Sequence, residues 1–231
     1  RLHCPETRFY LGKAVRKDET FSCAASPLEV FTDLMSRARR EIPASFSDSY
    51  VEYKSLISLT AKALLRYNAC IFHAVSFISR GRAWLLTGPS GTGKSTQYLN
   101  WQRLFPGEIA MISGDMPVLK ACPDGITVHP SPWNGKERMA GDCSAPLAGI
   151  VLLEQGPDNV FSDLSPADAF MPLFRQFVVM PETEEEIRAL FALYDRVLRS
   201  APVYLFVNRG DDASTELLRD SITQDGPGPE L

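Results

Sequence analysis

The spacing of apolar residues changes several times along the chain, and each change marks an element. Arg8–Leu11 and Thr20–Cys23 alternate apolar and polar residues as short strands do. From Leu28 to about Arg40, Leu28, Val30, Phe31, Leu34 and Met35 recur at helical spacing. Arg37, Arg39 and Arg40 close that segment as a solvated, dipole-compatible helix end. Ser47 or Asp48 can cap a second helix reaching about Tyr67, with Leu56, Ile57, Leu59, Ala63 and Leu64 on its apolar side. Ala69–Ile78 then reads as a strand, and the turn Ser79–Arg82 leads into the strand Ala83–Thr87. So short a turn predicts an antiparallel pair.

Beyond it the spacing predicts a helix over Ser95–Phe105 and a strand over Ile109–Ile112. Val118–Ala121 and Ile126–Val128 flank Pro123-Asp124-Gly125 as a hairpin. His129–Arg138 is too rich in proline and glycine for regular structure. Leu147–Leu153 reads as a strand buried on both faces. Helices are expected over Ala167–Phe177 (capped by Ser165), Glu182–Leu198 and Asp212–Ile222, with a strand at Val203–Val207. This order predicts an α/β chain: an N-terminal α+β appendage over 1–68, a mixed-sheet core over 69–222, and a disordered tail over 223–231. No internal repeat is visible.

Composition narrows the function classes. The 231 residues are 45% hydrophobic and 23% charged, as in a soluble globular protein. A formal net charge of -4 offers no broad basic field, which argues against nucleic-acid binding. Cys4, Cys23, Cys70, Cys122 and Cys143 are scattered and never form C-x-x-C, so reduced thiols in a cytoplasmic protein are expected. No apolar run approaches the ~18–20 residues that span a bilayer. A homo-oligomer is compatible with the chain, with Arg37–Arg40 or Phe170–Phe177 as candidate contacts.

The chemistry centres on Gly88-Pro89-Ser90-Gly91-Thr92-Gly93-Lys94-Ser95-Thr96, a full G-x-x-x-x-G-K-[ST] pattern between a predicted strand and a predicted helix. Gly88, Gly91 and Gly93 permit positive φ, so successive N–H groups can turn inward around an anion, and the helix start points at the same place. Lys94 would reach the β/γ-phosphates of ATP, and Ser95 would ligate Mg²⁺.

Three further candidates surround this loop. Asp115 follows an apolar strand, where a carboxylate can hold Mg²⁺ or activate an acceptor; an ordinary turn aspartate is the alternative. His73 lies on the strand before the loop strand and reads as a site residue or as a satisfied core histidine. Trp133, Lys136, Glu137 and Arg138 share a loop that would line the acceptor, or else form a polar surface turn with Trp133 packed underneath.

The His73 strand, the short basic turn, the phosphate loop and the Gly114-Asp115 strand end together resemble the HPr kinase/phosphorylase superfamily, which is similar to phosphoenolpyruvate carboxykinases around the same loop. The Pro132–Glu137 segment resembles smaller HPr-kinase-like proteins more closely. The resemblance covers about residues 70–155. It implies a P-loop kinase core that moves the ATP γ-phosphate, with Mg²⁺, to a hydroxyl of a small molecule, peptide or small protein. It assigns ATP to Gly88–Thr96, active-site roles to His73, Lys94 and Asp115, and the metal to Ser95 and Asp115. That family places two aspartates where this chain has Gly114 and Asp115. The missing acid keeps open an ATP-binding accessory module with reduced turnover, and a P-loop nucleoside triphosphatase is a further alternative.

Overall fold

The computed structural model describes Arg40 and residues 47–225. The strands expected before residue 30, and the helix expected over Leu28–Arg40 apart from Arg40 itself, lie outside the described residues, as do 226–231. Helix α1 (Asp48–Leu65) begins at Ser47, whose hydroxyl accepts from the Tyr50 N–H. Next come β1 (Ala69–Ile71), β2 (Ala74–Ser79), β3 (Arg82–Thr87), α2 (Lys94–Leu104) and β4 (Ile109–Ser113). The hairpin β5 (Val118–Cys122) and β6 (Gly125–His129) follows, then β7 (Ala145–Gln155) and β8 (Val160–Asp163). The chain continues through α3 (Pro166–Phe174), α4 (Glu184–Ser200), β9 (Val203–Asn208) and α5 (Asp212–Asp225).

The result is a mixed α/β fold on a curled nine-stranded sheet. The long strand β7 joins its two parts. Its first residues pair with β6 at Thr127↔Pro146 and Val128↔Ala145, while its remainder runs parallel between β3 and β9. Strand β3, which feeds the glycine loop, therefore has a parallel neighbour on one side and antiparallel β2 on the other, in the register Ala74↔Thr87 to Ser79↔Arg82. The antiparallel pair expected from the short turn is present. Trp84 stands opposite Gly149, where a Cβ would lie 2.3 Å from the indole ring. The glycine leaves the room that the tryptophan occupies.

Alternation along β2, β3 and β7 sends side chains to two cores. Val75, Phe77, Trp84, Leu86, Val151 and Leu153 face α2 and α5, where Tyr98, Trp101, Leu218 and Ile222 close over them. Phe72, Ala74, Leu85 and Ile150 face α3 and α4, meeting Leu173, Leu190, Tyr194 and Val197. Trp101 is fully buried and edge-on to Phe77 at 5.4 Å, so truncating it to alanine would cost about 3–5 kcal/mol. A third cluster joins Tyr53, Ile57 and Ala61 of α1 to Ile71 and Trp133.

Three sequence expectations are corrected. The strand expected over Ala69–Ile78 is broken at Phe72-His73, because the Phe72 N–H bonds Pro117 and the His73 N–H bonds Gln176 instead of one continuous ladder. The helix expected to reach Phe177 ends at Phe174, and Phe177 bridges to Phe72. Helix α5 continues through Asp225, so residues 223–225 are helical. Phe170 and Met171 are exposed beside Phe191, whereas Leu173 and Phe177 turn inward.

Candidate functional site

The glycine loop joins the end of β3 to the start of α2. Gly88, Gly91 and Gly93 take φ of 136°, 88° and 96°, a region that side-chain-bearing residues rarely enter. At Gly88 the close approach is equally decisive, since a Cβ would lie 2.8 Å from the Leu153 carbonyl oxygen. Gly93 is the N-cap of α2 and offers no capping side chain. The first helical bond runs from the Gln97 N–H to the Gly93 carbonyl, so the N–H groups of Lys94, Ser95 and Thr96 precede the helical ladder and stand at the loop's mouth. Ser90 and Thr96 are exposed, and Thr92 and Ser95 are half-buried.

Lys94 is folded back over its own loop. Its Nζ donates to the carbonyls of Gly88 at 2.9 Å and Pro89 at 3.0 Å. Burial lowers the Lys94 pKa, and the negative charges of Asp115 and Glu137 act against that shift. Thr92 Oγ1 donates to the Pro89 carbonyl at 2.9 Å, and Gln155 Nε2 reaches in from the end of β7 to the Gly91 carbonyl at 3.0 Å. Behind the loop, fully buried Gln97 fixes the helix. Its Nε2 donates to Asn208 Oδ1 at 3.1 Å and Ser214 Oγ at 2.7 Å, and its Oε1 accepts from Thr215 at 2.8 Å.

Asp115 and His73 meet beside this loop. His73 Nε2 lies 3.3 Å from Asp115 Oδ1, and the Ala74 N–H donates to the Asp115 carbonyl at 2.8 Å. Thr87, the last residue of β3, donates its hydroxyl to the His73 carbonyl at 2.8 Å, which ties the dyad's backbone to the loop's root. His73 and Asp115 are both half-buried.

The segment after β6 folds across Asp115. Trp133 is buried against α1, and its carbonyl accepts from the Met116 N–H at 3.2 Å. Of the loop residues proposed from sequence to line an acceptor, Trp133 therefore anchors the segment from below, while Lys136, Glu137 and Arg138 are exposed above it. Gly135, at φ 70°, sits against Asp115, where a Cβ would come within 2.9 Å of the Asp115 Cβ. Gly114 is enclosed the same way: a Cβ there would stand 2.9 Å from both Met139 Cβ and the Met139 carbonyl oxygen. This crowding is the physical reason a second carboxylate has no place beside Asp115.

Two residues at the site escape a sequence reading. Tyr53 of α1 feels the Asp115 charge, and burial with that charge pushes its phenol up to about 12. Gln176 accepts the His73 N–H on its carbonyl and faces the imidazole. Neither carries a local signal, because both reach the site through contacts distant in the chain. Among the described residues no group of three or more His, Cys, Asp or Glu side chains is arranged to hold a metal. Cys70, Cys122 and Cys143 are free thiols. Among the described residues no helix is long and apolar enough to cross a membrane.

Fold and site together define a mixed α/β protein whose glycine loop and helix start lie beside a histidine–carboxylate pair. No family model matches the chain, and no curated protein matches it either. Forty-one chains of solved structures are similar to it. One is the HPr(Ser) kinase/phosphatase from Coxiella burnetii, 12% identical, with a match covering 56% of this chain and 88% of that one at a TM-score of 0.30. That likeness carries nothing about activity.

Proposed function

We propose that this chain transfers the γ-phosphate of ATP to a serine-type hydroxyl, on a small molecule or on a peptide or small protein, as an HPr-kinase-like phosphotransferase. The observation that carries the reading is electrostatic: the Lys94 ammonium, at the start of α2, feels both Asp115 and Glu137, which arrive from separate segments. A cation at the start of a helix, with carboxylates from two other segments acting on it, suits a phosphate on one side and a hydroxyl on the other.

In this reading Lys94 leaves the Gly88 and Pro89 carbonyls for phosphate oxygens, joined by N–H groups of the loop and first helical turn. The acceptor oxygen bonds to the γ-phosphorus while the bond from phosphorus to the β–γ bridging oxygen breaks, and ADP leaves with that electron pair. Asp115 orients the acceptor hydroxyl and takes its proton. Positioning and charge neutralisation supply most of the acceleration. Ser95 is an oxygen donor of the kind Mg²⁺ takes, and would hold the ion with phosphate oxygens and water, leaving Asp115 to the acceptor. The ion, when bound, supplies neutralisation of phosphate charge.

The test is transfer of labelled γ-phosphate to a panel of hydroxyl acceptors by the wild-type chain and Asp115→Asn. The expected result is transfer by the wild type and a loss of about 10²–10⁴-fold in the variant, with ATP affinity retained. If both bind ATP and neither transfers phosphate, the kinase reading fails. Such an outcome would favour a second reading, an ATP-binding module without turnover, which the enclosure of Gly114 supports.

A further inference from the structure

Helices α3 and α4 cover one core with their inner sides and leave an apolar outer surface that the phosphate site does not use. Phe170, Met171, Ile187 and Phe191 are between 38% and 51% exposed there. A groove of about 540 Å³ runs between the two helices, walled by Pro166, Ala167, Phe170 and Met171 on one side and by Phe191 and Leu198 on the other. Apolar surface gathered in one place in this way marks a contact site. Its shape is fixed in advance. Tyr194 donates its hydroxyl to the Phe170 carbonyl and its ring meets Phe170 at 5.0 Å, while Phe174 stacks on Phe191 at 5.3 Å.

The charges of α4 point to what covers this face. With 3.6 residues per turn, Ile187, Tyr194 and Leu198 fall on the side of Phe191 toward α3, and Glu184, Arg188, Asp195 and Arg199 form a row on its other side. That row alternates acid, base, acid, base, at spacings of four, seven and four residues. The spacings are the same from either end, whereas every sign is reversed. Arg188 pairs with Glu184, and Arg199 with Asp195 at 2.8 Å, so these side chains lie along the helix. A surface that complements the row must carry base, acid, base, acid in the same direction. Helix α4 of a second copy does so when it runs antiparallel.

We propose that the outer face of α3 and α4 binds a second copy of this chain, as a two-fold dimer whose α4 helices run antiparallel with the axis between Phe191 and Ala192. An axis lying in the contact plane, perpendicular to the helices, sets like side against like side. Glu184 then faces the partner's Arg199, and Arg188 faces the partner's Asp195, because both pairs of positions are centred on the same point. The same rotation carries the partner's Ile187 to the level of Tyr194 and Leu198, where the groove lies, and the branched side chain enters it. Apolar burial supplies the affinity, and the exposed charges set direction and register. No residue of the glycine loop or of the His73–Asp115 pair takes part, so the dimer stands or falls apart from the kinase reading.

The experiment measures mass in solution. Sedimentation equilibrium of the full chain should give a species of twice the 25.6 kDa chain mass. Ile187→Glu puts a charge into the groove and should raise the dissociation constant about 30-fold or more, the loss that marks an interface anchor. Asp195→Arg sets two bases against each other across the axis and should weaken the dimer about 10-fold or more. Adding Arg188→Asp to it restores an opposite pair across the axis and should recover most of that loss. Within one copy the double variant has lost both internal ion pairs, so recovery can come only from the partner. All three positions are exposed, and thermal melts should show each variant folded as the wild type is. A wild-type chain that is still a monomer at about 100 µM overturns the proposal and leaves the face to a different protein or another segment of this chain. A dimer unmoved by Ile187→Glu overturns it too, and a double variant no tighter than Asp195→Arg refutes the antiparallel register.

Discussion

Restoring an aspartate at Gly114 is the substitution that separates a motif-based expectation from one based on packing. By resemblance to a family with two adjacent acids, Gly114→Asp should complete the site and raise transfer. The structure predicts the reverse. A Cβ at 114 would stand 2.9 Å from Met139 Cβ, 2.9 Å from the Met139 carbonyl oxygen and 3.2 Å from the Asn134 carbonyl oxygen. Two of these neighbours are backbone, so relief requires moving the loop and not merely a side chain. Overpacking of this kind costs about 1–3 kcal/mol. The Gly114 N–H also donates to the Met139 carbonyl at 2.9 Å. Losing that bond as the loop moves adds about 1 kcal/mol. The sum, about 2–4 kcal/mol, should lower the melting temperature by roughly 5–15 °C for a chain of this size. Because Gly135 of the same loop rests on Asp115, transfer should fall as well. Gly114→Ala is the control that adds bulk without charge, and should show most of the stability loss. Thermal melts and phosphoryl-transfer rates of both variants decide the matter. A Gly114→Asp chain that melts with the wild type and transfers phosphate faster would refute the packing argument.

Two further predictions concern stability. Tyr53, 8% exposed, has its phenol raised to about 12, so the folded chain holds that proton more tightly than the unfolded one. Its contribution is complete below pH ~10 and is lost as pH rises toward 12, a change of about 2–3 kcal/mol. Tyr194 is raised to about 12 also, so Tyr53→Phe should remove only part of the alkaline loss in denaturant titrations from pH 9 to 12; an unchanged profile would show that Tyr53 is not held neutral by the fold. Gln97→Leu strips partners from Asn208, Ser214 and Thr215 inside the protein and should cost about 3 kcal/mol, seen as a lower urea midpoint at constant slope. A cost below about 1 kcal/mol would mean that this network does not hold α2 in place.

What the sequence determined by itself was local. The glycines at 88, 91 and 93 follow from the backbone conformations the loop requires, and they take positive φ. The short turn between Ser79 and Arg82 dictated the antiparallel pairing of β2 with β3. Helix starts at Ser47 and Ser165 were legible because their capping partners lie within three residues. Strand β8 went unread: its residues are mostly exposed and gain their pairing only from β9, more than forty residues later.

The tertiary structure decided which candidates converge. His73 and Asp115 are forty-two positions apart in the chain and meet because β2 pairs with β4, with the Ala74 N–H held by the Asp115 carbonyl. Trp133 belongs to the hydrophobic cluster of α1, a partner lying some eighty residues earlier. Gly114 looked like a missing acid until the loop above it was in place. Gln176 reaches His73 only through a ladder between segments a hundred residues apart. Turn chemistry and capping act between near neighbours, so residue order suffices to read them. Enclosure and charge coupling depend on which distant segments share space, and the packing of the whole chain sets that.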